Sequence, residues 1–390
     1  MLKSNLKIAY LDVNVRYLNP TRNMLMSALS VCGDVTHIGP GFSTDTQTKQ
    51  FEDVLLRPGY FDVIVTTPHI VLGEYANKEP KDIARIYRKA FAFDFPSSEF
   101  KQLISLKDLL AKTKLPKVLF LLEADYYNFD RCRIDTFNKY ADVILGFGPE
   151  VWSRKSAMPN LQKESFADVA NDQWACYLET CASMVSSMHH VVGDAEFCSR
   201  PLSLRRRVWS VMGVEYAARK TVKRTLRKKG LSVQGNGLMP KLIGGLIRTQ
   251  ALKGHSGWSL DLLQRSFRSK LSDSKYSYTC GSGLDMPIRK FFEIPAAGSV
   301  LVCRSFRGSR ELGFRAGENY LECEPSDIID VHNFLERNPE RAQEIADAGR
   351  ELVLRKHSVD ARAKQISLCL NALIKGEGVG RWVDGQYLVK

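Results

Sequence analysis

The alternation of short apolar runs with helical stretches constrains the fold of this chain more than any other sequence feature. Residues 6–13 (LKIAYLDV) and 61–66 (FDVIVT) are apolar runs, and runs of four to eight such residues bounded by turn residues indicate buried strands. Strands that alternate with helices form a parallel sheet that the helices cover. We therefore predict a Rossmann-like domain over residues 1–150. Its other predicted strands are 35–38, 117–122 and 141–146, and its predicted helices are 19–31, 80–91 and 99–112.

The same alternation restarts near residue 200, after a less regular part with one predicted helix over 174–187. It predicts a second, similar α/β half, and with it three units: an N-terminal domain over 1–200, a C-terminal domain over 201–365, and a helix and tail over 366–390 that can pack back on the first domain. The strands predicted for the second half are 207–212, 274–279 and 300–303, with weaker candidates at 231–233 and 246–249. The predicted helices are 215–228, 260–270, 288–297, 325–336, 339–356 and 361–373.

Composition narrows the class of protein. Hydrophobic residues make up 44% and charged residues 25% of the 390 positions, which is typical of a globular chain. No apolar run approaches the roughly 20 residues of a membrane-spanning helix, and the N-terminus shows no apolar signal core. The nine cysteines are scattered without a Cys-x-x-Cys pair. We therefore expect a cytoplasmic protein with reduced thiols and no metal site.

The positive charge is concentrated in one part of the chain. The net charge is +13, and residues 200–229 hold eleven arginines and lysines against one acid, Glu215. A solvated helix face accounts for residues 216–229 but not for Arg205 to Arg207. Such a surface attracts phosphate groups, so an anionic membrane surface, a phosphorylated acceptor and nucleic acid all stay open as partners.

The segment from Thr279 to Gly298 has the form of a ligand site. A predicted strand ends at Thr279, and ligands of parallel sheets lie at the carboxyl ends of strands. Gly281, Ser282 and Gly283 then allow close approach of backbone to a ligand, and a helix is predicted to start near residue 286, where backbone N–H groups favour phosphate.

Two acids in this segment are candidate ligand groups. Asp285 and Glu293 are separated by seven residues, about two helical turns, so both can face one side of a cleft. A carboxylate suits the paired hydroxyls of a ribose. Asp285 has an alternative role as the cap of the following helix. Glu293 stands among apolar neighbours, where an acid needs a functional reason.

The string RKFFEIPAAG at residues 289–298 resembles the helix of group 1-type glycosyltransferases, in which an acid is followed after seven residues by Glu and then by a small-residue stretch ending in Gly. It is most similar to the spore-maturation (CgeB-like) branch. The resemblance continues through 311–320 and 346–358, over about 90 residues, with weaker echoes at 39–41, 123–125 and 213–219.

The resemblance implies the GT-B fold, in which two Rossmann-like domains face each other across a cleft and the C-terminal one mainly holds a nucleotide sugar. Carried over by position, Glu293 would accept the ribose hydroxyls. Asp285 would lie beside the donor sugar or its phosphate, where the family usually has the longer Glu. Gly213 would be the turn near the diphosphate.

Departure of the nucleotide develops negative charge that a cation must neutralise. Our candidate is Arg219, with Lys220 and Lys223 as substitutes and Arg289 as an alternative. GT-B enzymes generally use basic groups and helix dipoles here, and the chain has no Asp-x-Asp motif, so neither a metal nor another cofactor is expected.

The catalytic base is less well defined by the sequence. An inverting enzyme needs a carboxylate or imidazole to deprotonate the acceptor hydroxyl, whereas a retaining one need not have such a base. The candidates at strand ends of the first domain are Asp12, His69 and Asp125. The other histidines considered are His189 and His190, near the domain junction, and His255 in a loop.

The function expected from this resemblance is transfer of a sugar from a nucleotide-sugar donor to a saccharide or lipid-linked acceptor, as in surface polysaccharide synthesis, with the basic surface resting on an anionic membrane. Three alternatives stay open: a transferase that acts on modified bases of DNA, a nucleotide-sugar epimerase, and a catalytically silent sugar-nucleotide-binding protein, which the Asp at position 285 admits.

Overall fold

The computed structural model describes residues 6–14, 21–75, 97–121, 126, 131–152, 165–237, 242, 243, 246 and 257–389. It contains two parallel sheets, each covered by helices, and one small antiparallel hairpin. Among the described residues, no helix is long and apolar enough to cross a bilayer.

The first sheet has six parallel strands in the order β2-β1-β3-β4-β5-β6. Their bounds are β1 Leu6–Leu11, β2 Gly33–Ile38, β3 Val63–Thr66, β4 Lys117–Phe120, β5 Val143–Gly146 and β6 Val185–Ser187. Its helices are α1 Thr21–Cys32, α2 Asp45–Leu55, α3 Pro68–Tyr75, α4 Ser97–Lys112, α5 Arg131–Tyr140 and α6 Ser165–Cys181. The strand order reverses its direction at β1, so the carboxyl end of β1 lies where such sheets bind ligands.

The second sheet has five parallel strands in the order β11-β10-β9-β7-β8. Their bounds are β7 Arg207–Ser210, β8 Val233–Gln234, β9 Ser274–Thr279, β10 Val300–Cys303 and β11 Leu321–Glu322. The helices that follow are α7 Ala217–Lys228, α8 Gly257–Ser272, α9 Lys290–Ala296, α10 Ile328–Arg337 and α11 Pro339–His357.

The end of the chain returns to the first sheet. Helix α12 (Val359–Lys375) packs along α1, and its buried face, with Ile366 and Leu370, joins the same apolar cluster as Ile8 and Tyr10 of β1. The hairpin β12 (Gly380–Val383) and β13 (Gln386–Val389) follows, and the backbone N–H of Gly380 donates to Ser186 Oγ of β6 at 2.7 Å. The predicted domain boundary at residue 365 falls inside α12, so the division of the chain into three units stays a prediction.

The two halves share a packed junction. Val192, after β6, exchanges backbone hydrogen bonds with His357 and Val359 at 3.0 and 3.1 Å. Arg362 of α12 is fully buried there and donates to the carbonyl oxygen of His190 at 2.9 Å. One apolar cluster runs from Trp152 in the first half into α9 of the second. The two halves are therefore joined by core packing.

Several predicted elements differ from the structure. The predicted helix over 174–187 is wrong at its end, because α6 stops at Cys181 and Val185–Ser187 form β6. The predicted strand over 246–249 is wrong at Leu246, which is helical, because a segment as short as four residues fits either period. The hairpin and β11 were not predicted, and the predicted helix over 80–91 lies outside the described residues.

Candidate functional site

A cavity of about 720 Å³ lies between the two halves. Met24 and Ser27 of α1 line it from the first half, and the segment 193–196 lines it from the junction. The second half contributes the turn after β7, one face of α8 and residues 288–290 and 293. Most of the wall is apolar and a few charged side chains converge on it, which is the usual character of a small-molecule site.

The loop between β9 and α9 is tighter than the sequence suggests. A side chain on Gly281 would stand 2.7 Å from Asp285 Oδ1, so the close approach that requires this glycine is to its own loop. Ser282 and Asp285 have φ of 65° and 50°, in the left-handed region that ordinary residues rarely adopt. Gly283, between them, is partly buried. None of these four residues is among those that line the cavity.

The helix after this loop starts at Lys290 and not near residue 286 as predicted. Pro287 disfavours helical backbone at Met286, and the positive φ of Asp285 already interrupts the chain there. Arg289 occupies the N-cap position, so Asp285 does not cap this helix. The expectation that Asp285 and Glu293 face one side of the cleft through helical spacing is therefore wrong: Glu293 lines the cavity and Asp285 does not.

Asp285 is a buried acid in an unusual state. Its side chain is 5% exposed, and Oδ2 has no hydrogen-bond partner among the described residues. Burial raises the pKa of this carboxyl to about 7, against the opposing effect of the Arg307 and Arg304 guanidinium groups. Near neutral pH the folded protein therefore holds Asp285 partly protonated.

The variant Asp285→Asn is expected to change how stability depends on pH. The pKa of Asp285 in the folded protein lies above that of an unfolded aspartate, which is near 4. The stability that this group contributes is therefore fully present at acid pH and is lost as the pH rises through 7. Asparagine resembles the neutral form. The free energy of unfolding of the variant, relative to wild type, should rise between pH 5 and pH 8 by an amount on the order of a few kcal/mol. Chemical denaturation at both pH values measures the difference, and an unchanged difference would contradict the raised pKa.

Glu293 belongs to a buried ionic cluster on the cavity wall. Arg289 Nε donates to Glu293 Oε1 at 2.7 Å, and Arg289 Nη2 donates to Glu196 Oε2 at 2.5 Å. The third arm of the guanidinium, Nη1, donates to the carbonyl oxygen of Val191. Arg289 is 3% and Glu293 6% exposed. One arginine therefore holds two carboxylates at the edge of the cavity.

Burial shifts the pKa values of this cluster. The pKa of Glu293 lies above its usual value because burial disfavours the carboxylate, and Arg289 offsets only part of that effect. For Arg289 itself, burial lowers the pKa, but Glu196 and Glu293 more than compensate and hold it above its usual value. All three nitrogens of the Arg289 guanidinium thus donate to groups within the protein. This argues against the alternative role in which Arg289 neutralises the leaving phosphate.

The turn after β7 lies close to two cations, of which Lys290 lines the cavity. Gly213 lines the cavity with φ of 101°, and a side chain there would stand 2.6 Å from Lys290 Cε and 2.9 Å from Arg219 Nη1. Lys290 also lines the cavity, with Nζ 5.6 Å from the centre of the Phe267 ring. Lys290 was not predicted from the sequence. It could have been found as a second cation, next to Arg289, in an otherwise apolar stretch.

Arg219 lies behind this turn and not on the cavity surface. It is 2% exposed, and its guanidinium donates to the carbonyl oxygens of Val214 and Cys280 and to Thr279 Oγ1 at 2.8–3.1 Å. It therefore ties the turn after β7 to the end of β9. Its suggested substitutes, Lys220 and Lys223, lie further along α7 in a separate groove.

Two of the three predicted catalytic candidates lie together at the carboxyl end of β1. Asp12 is fully buried and forms an ion pair with Arg22. Tyr10 and Thr67 donate hydroxyl hydrogen bonds to it, and His69 Nδ1 lies 3.1 Å from Asp12 Oδ1. Burial alone would raise the pKa of Asp12, but Arg22 and these hydrogen bonds hold it far below its usual value.

A carboxyl with such a low pKa is a weak base, so Asp12 is better suited to orient His69.

Asp125 and His255 lie outside the described residues. His189 and His190 are buried at the junction, where His189 Nε2 lies 2.7 Å from Glu150 Oε1 and His190 Nδ1 lies 3.2 Å from Thr21 Oγ1. Neither of these two lines the cavity.

The architecture of the chain matches solved structures over nearly its whole length. The HepE protein of Anabaena, solved in complex with UDP-glucose, superposes with a TM-score of 0.53 at 10% identity, over 94% of this chain and 100% of that one. A glycosyltransferase of Rickettsia africae gives 0.51 at 9% identity, over 95% and 99% of the two chains. Sucrose-phosphate synthase of Thermosynechococcus elongatus gives 0.50 at 12% identity, over 95% and 100%.

These matches and the two parallel sheets show that the chain has the GT-B fold, two Rossmann-like domains facing across a cleft. The fold prediction is thus confirmed. Within that fold, residues 254–367 match the family described as glycosyl transferase-like. No curated protein sequence matches the chain. The spore-maturation branch stays a prediction.

Proposed function

We propose that this chain transfers a sugar from a nucleotide-sugar donor to a saccharide or lipid-linked acceptor, in surface polysaccharide synthesis. The observation that carries the proposal is the position of Glu293, which is held by Arg289 on the wall of the interdomain cavity within the part of the chain that matches the glycosyl transferase-like family. The HepE complex with UDP-glucose supports a uridine nucleotide as the first donor to test.

Different residues around the cavity bind different parts of the donor. Glu293 accepts hydrogen bonds from the ribose hydroxyls. Lys290 lies near Gly213, where the diphosphate would pass close to the backbone. Arg268 of α8 is a further cation on the cavity wall, and the Phe267 ring gives a surface on which a base can lie. Cations at this position offset the negative charge that develops as the nucleotide leaves.

The acceptor side has its own pocket. A smaller polar cavity of about 330 Å³ lies at the carboxyl edge of the first sheet and shares Ser27 with the interdomain cavity. Asn14, Asn23, Ser30 and His37 are among its lining residues, and amide and hydroxyl groups of this kind suit sugar hydroxyls. His69, oriented by Asp12, is the proposed base, although it is not among the residues that line either cavity. The proposal includes a cytoplasmic location with peripheral contact to an anionic membrane.

The donor proposal is tested with the isosteric variant Glu293→Gln. Hydrogen bonds to a charged group contribute about 1.5–3 kcal/mol, so loss of the charge should weaken donor binding about ten-fold or more. A thermal-shift screen of UDP, GDP, ADP, TDP and CMP and their sugars identifies the nucleotide. Ligand at 100 times its dissociation constant stabilises wild type by about 2.7 kcal/mol, and the same concentration should stabilise the variant by about 1.4 kcal/mol or less.

The matched control is Glu196→Gln, which removes a carboxylate charge from the other side of the same arginine. If Glu293 only neutralises Arg289, both variants should lose the same ligand response. Equal responses from Glu293→Gln and wild type would remove Glu293 from the donor site.

A further inference from the structure

The exposed face of α7 forms a basic groove outside the donor cavity. This groove, of about 470 Å³, is lined by Glu215, Lys220, Lys223, Arg224, Arg227 and Lys228. Lys223 Nζ lies 2.5 Å from Glu215 Oε1, and Glu215 is the only acid among these lining residues. Lys220, Arg224, Arg227 and Lys228 are exposed. Four exposed cations therefore share a groove with one carboxylate that is already paired.

The cations form one stripe along the helix. Their spacing of three, four, seven and eight residues from Lys220 places them on the same face, over about 12 Å of helix length. Like charges at this spacing destabilise an isolated helix. The opposite face of α7, with Val222 and Leu226, packs into the core, so the apolar residues account for the position of the helix but not for the charge of its outer face.

The arginines that precede α7 in the basic stretch lie outside the groove. Arg205 is buried and donates to the carbonyl oxygens of Ser274 and Ala297 at 3.0 and 2.9 Å. Arg200 and Arg206 both contact Asp273 Oδ1. Of the Arg205 to Arg207 run, which suggested an anionic partner from sequence, only Arg205 is buried, whereas Arg206 and Arg207 are exposed. The exposed cations of α7 differ from these two in lining one groove.

The groove adjoins the donor cavity. Val214 lines the interdomain cavity and the next residue, Glu215, lines the groove, so the two linings include neighbouring residues, about 3.8 Å apart at Cα. A long acceptor that reaches the donor sugar would pass along α7 as it leaves the cavity.

We propose that the acceptor is a linear glycan that carries phosphate or carboxylate groups, and that the groove on α7 holds this chain while its end lies at the donor. This inference rests on the proposed function. The groove lining is concave and contains no apolar side chain, whereas bilayer insertion uses apolar anchors. It also contains no aromatic side chain, and single-stranded nucleic acid is typically held by base stacking on aromatics.

The test is a binding measurement on the full chain with fluorescent phosphorylated dextran and fluorescent oligogalacturonate, which carry the two anionic groups, and neutral dextran as blank. The variant Arg224→Gln/Arg227→Gln/Lys228→Gln should bind the anionic glycans about ten-fold or more weakly at roughly 0.1 M salt, where the screening length is about 10 Å, and with a shallower dependence on salt. The relative response to the two probes identifies the anionic group.

The matched control is Arg315→Gln/Arg337→Gln/Lys364→Gln, which removes three exposed cations elsewhere and should bind like wild type. Equal losses in both variants would show a non-specific charge effect and overturn the proposal. Tighter groove-dependent binding of a single-stranded oligonucleotide of matched charge, or of phosphatidylglycerol vesicles, would overturn it in favour of those partners. Thermal shift by the donor nucleotide, which should be unchanged in the groove variant, reports separately on the proposed function.

Discussion

Replacement of Arg289 by methionine is expected to lower the free energy of unfolding by about 3–5 kcal/mol, the usual cost of removing one partner from a buried ion pair. The variant Arg289→Met leaves Glu196 and Glu293 without the guanidinium that now contacts both. Methionine fills most of the space, so the loss would come from the unpaired carboxylates and not from a cavity. Urea denaturation of both proteins measures the difference.

The deficit of Arg289→Met should grow as the pH rises. The pKa of Glu293 is already above its usual value, and loss of the neighbouring positive charge raises it further. A folded-state pKa raised in this way gives stability that is present at low pH and lost as the pH rises through it. The variant should therefore be closer to wild type at pH 5 than at pH 8.

A rescue variant separates charge from shape. Arg289→Met/Glu196→Gln/Glu293→Gln removes all three charges and should recover most of the stability, since neutral replacement of a buried ionic group is often tolerated. If the triple variant is as unstable as Arg289→Met, packing of the arginine stem is responsible and the electrostatic explanation is wrong.

Replacement of His69 by glutamine is expected to lower kcat for sugar transfer by about 10²–10⁴, the usual contribution of a general base. His69 Nδ1 faces Asp12, and the proposed role of the imidazole is to accept the proton of an acceptor hydroxyl. Glutamine can keep a hydrogen bond to Asp12 but cannot accept the proton. Release of nucleotide from the donor, with saturating acceptor, measures kcat.

The control for this experiment is His332→Gln, a histidine of α10 next to Trp209 in the other half of the molecule. It should retain wild-type kcat, and both variants should show the wild-type thermal shift with donor. A normal kcat in His69→Gln would leave Asp125 as the candidate base or indicate a retaining reaction that needs none.

The fold was largely predictable because the buried strands are continuous apolar runs. The predicted strands at Ser274–Thr279 and Val300–Cys303 match the structure at both ends, and both are flanked by turn residues. Strand β6 (Val185–Ser187) was missed because only three residues form it, directly after a helix. The hairpin β12–β13 was missed although its sequence carries a local signal: Asp384-Gly385 form its two-residue turn, both with positive φ, as type I′ turns require.

The site was predictable only where local sequence determines geometry. Glu293 was found because an acid among apolar residues needs a reason, and the structure places it on the cavity wall. The second carboxylate on Arg289, Glu196, could not be found, since the contact between Arg289 and Glu196 spans 93 residues. The position of Asp285 was wrong because Pro287 and a left-handed backbone interrupt the helical spacing on which the prediction relied.

The return of α12 to the first sheet has a consequence for biosynthesis. The apolar cluster around β1 includes Ile366 and Leu370, so this cluster stays incomplete during synthesis until α12 has emerged from the ribosome. Domains generally fold in the order of their synthesis. Here the apolar surface of β1 and α1 stays accessible to chaperones until α12, more than 300 residues later, packs on it.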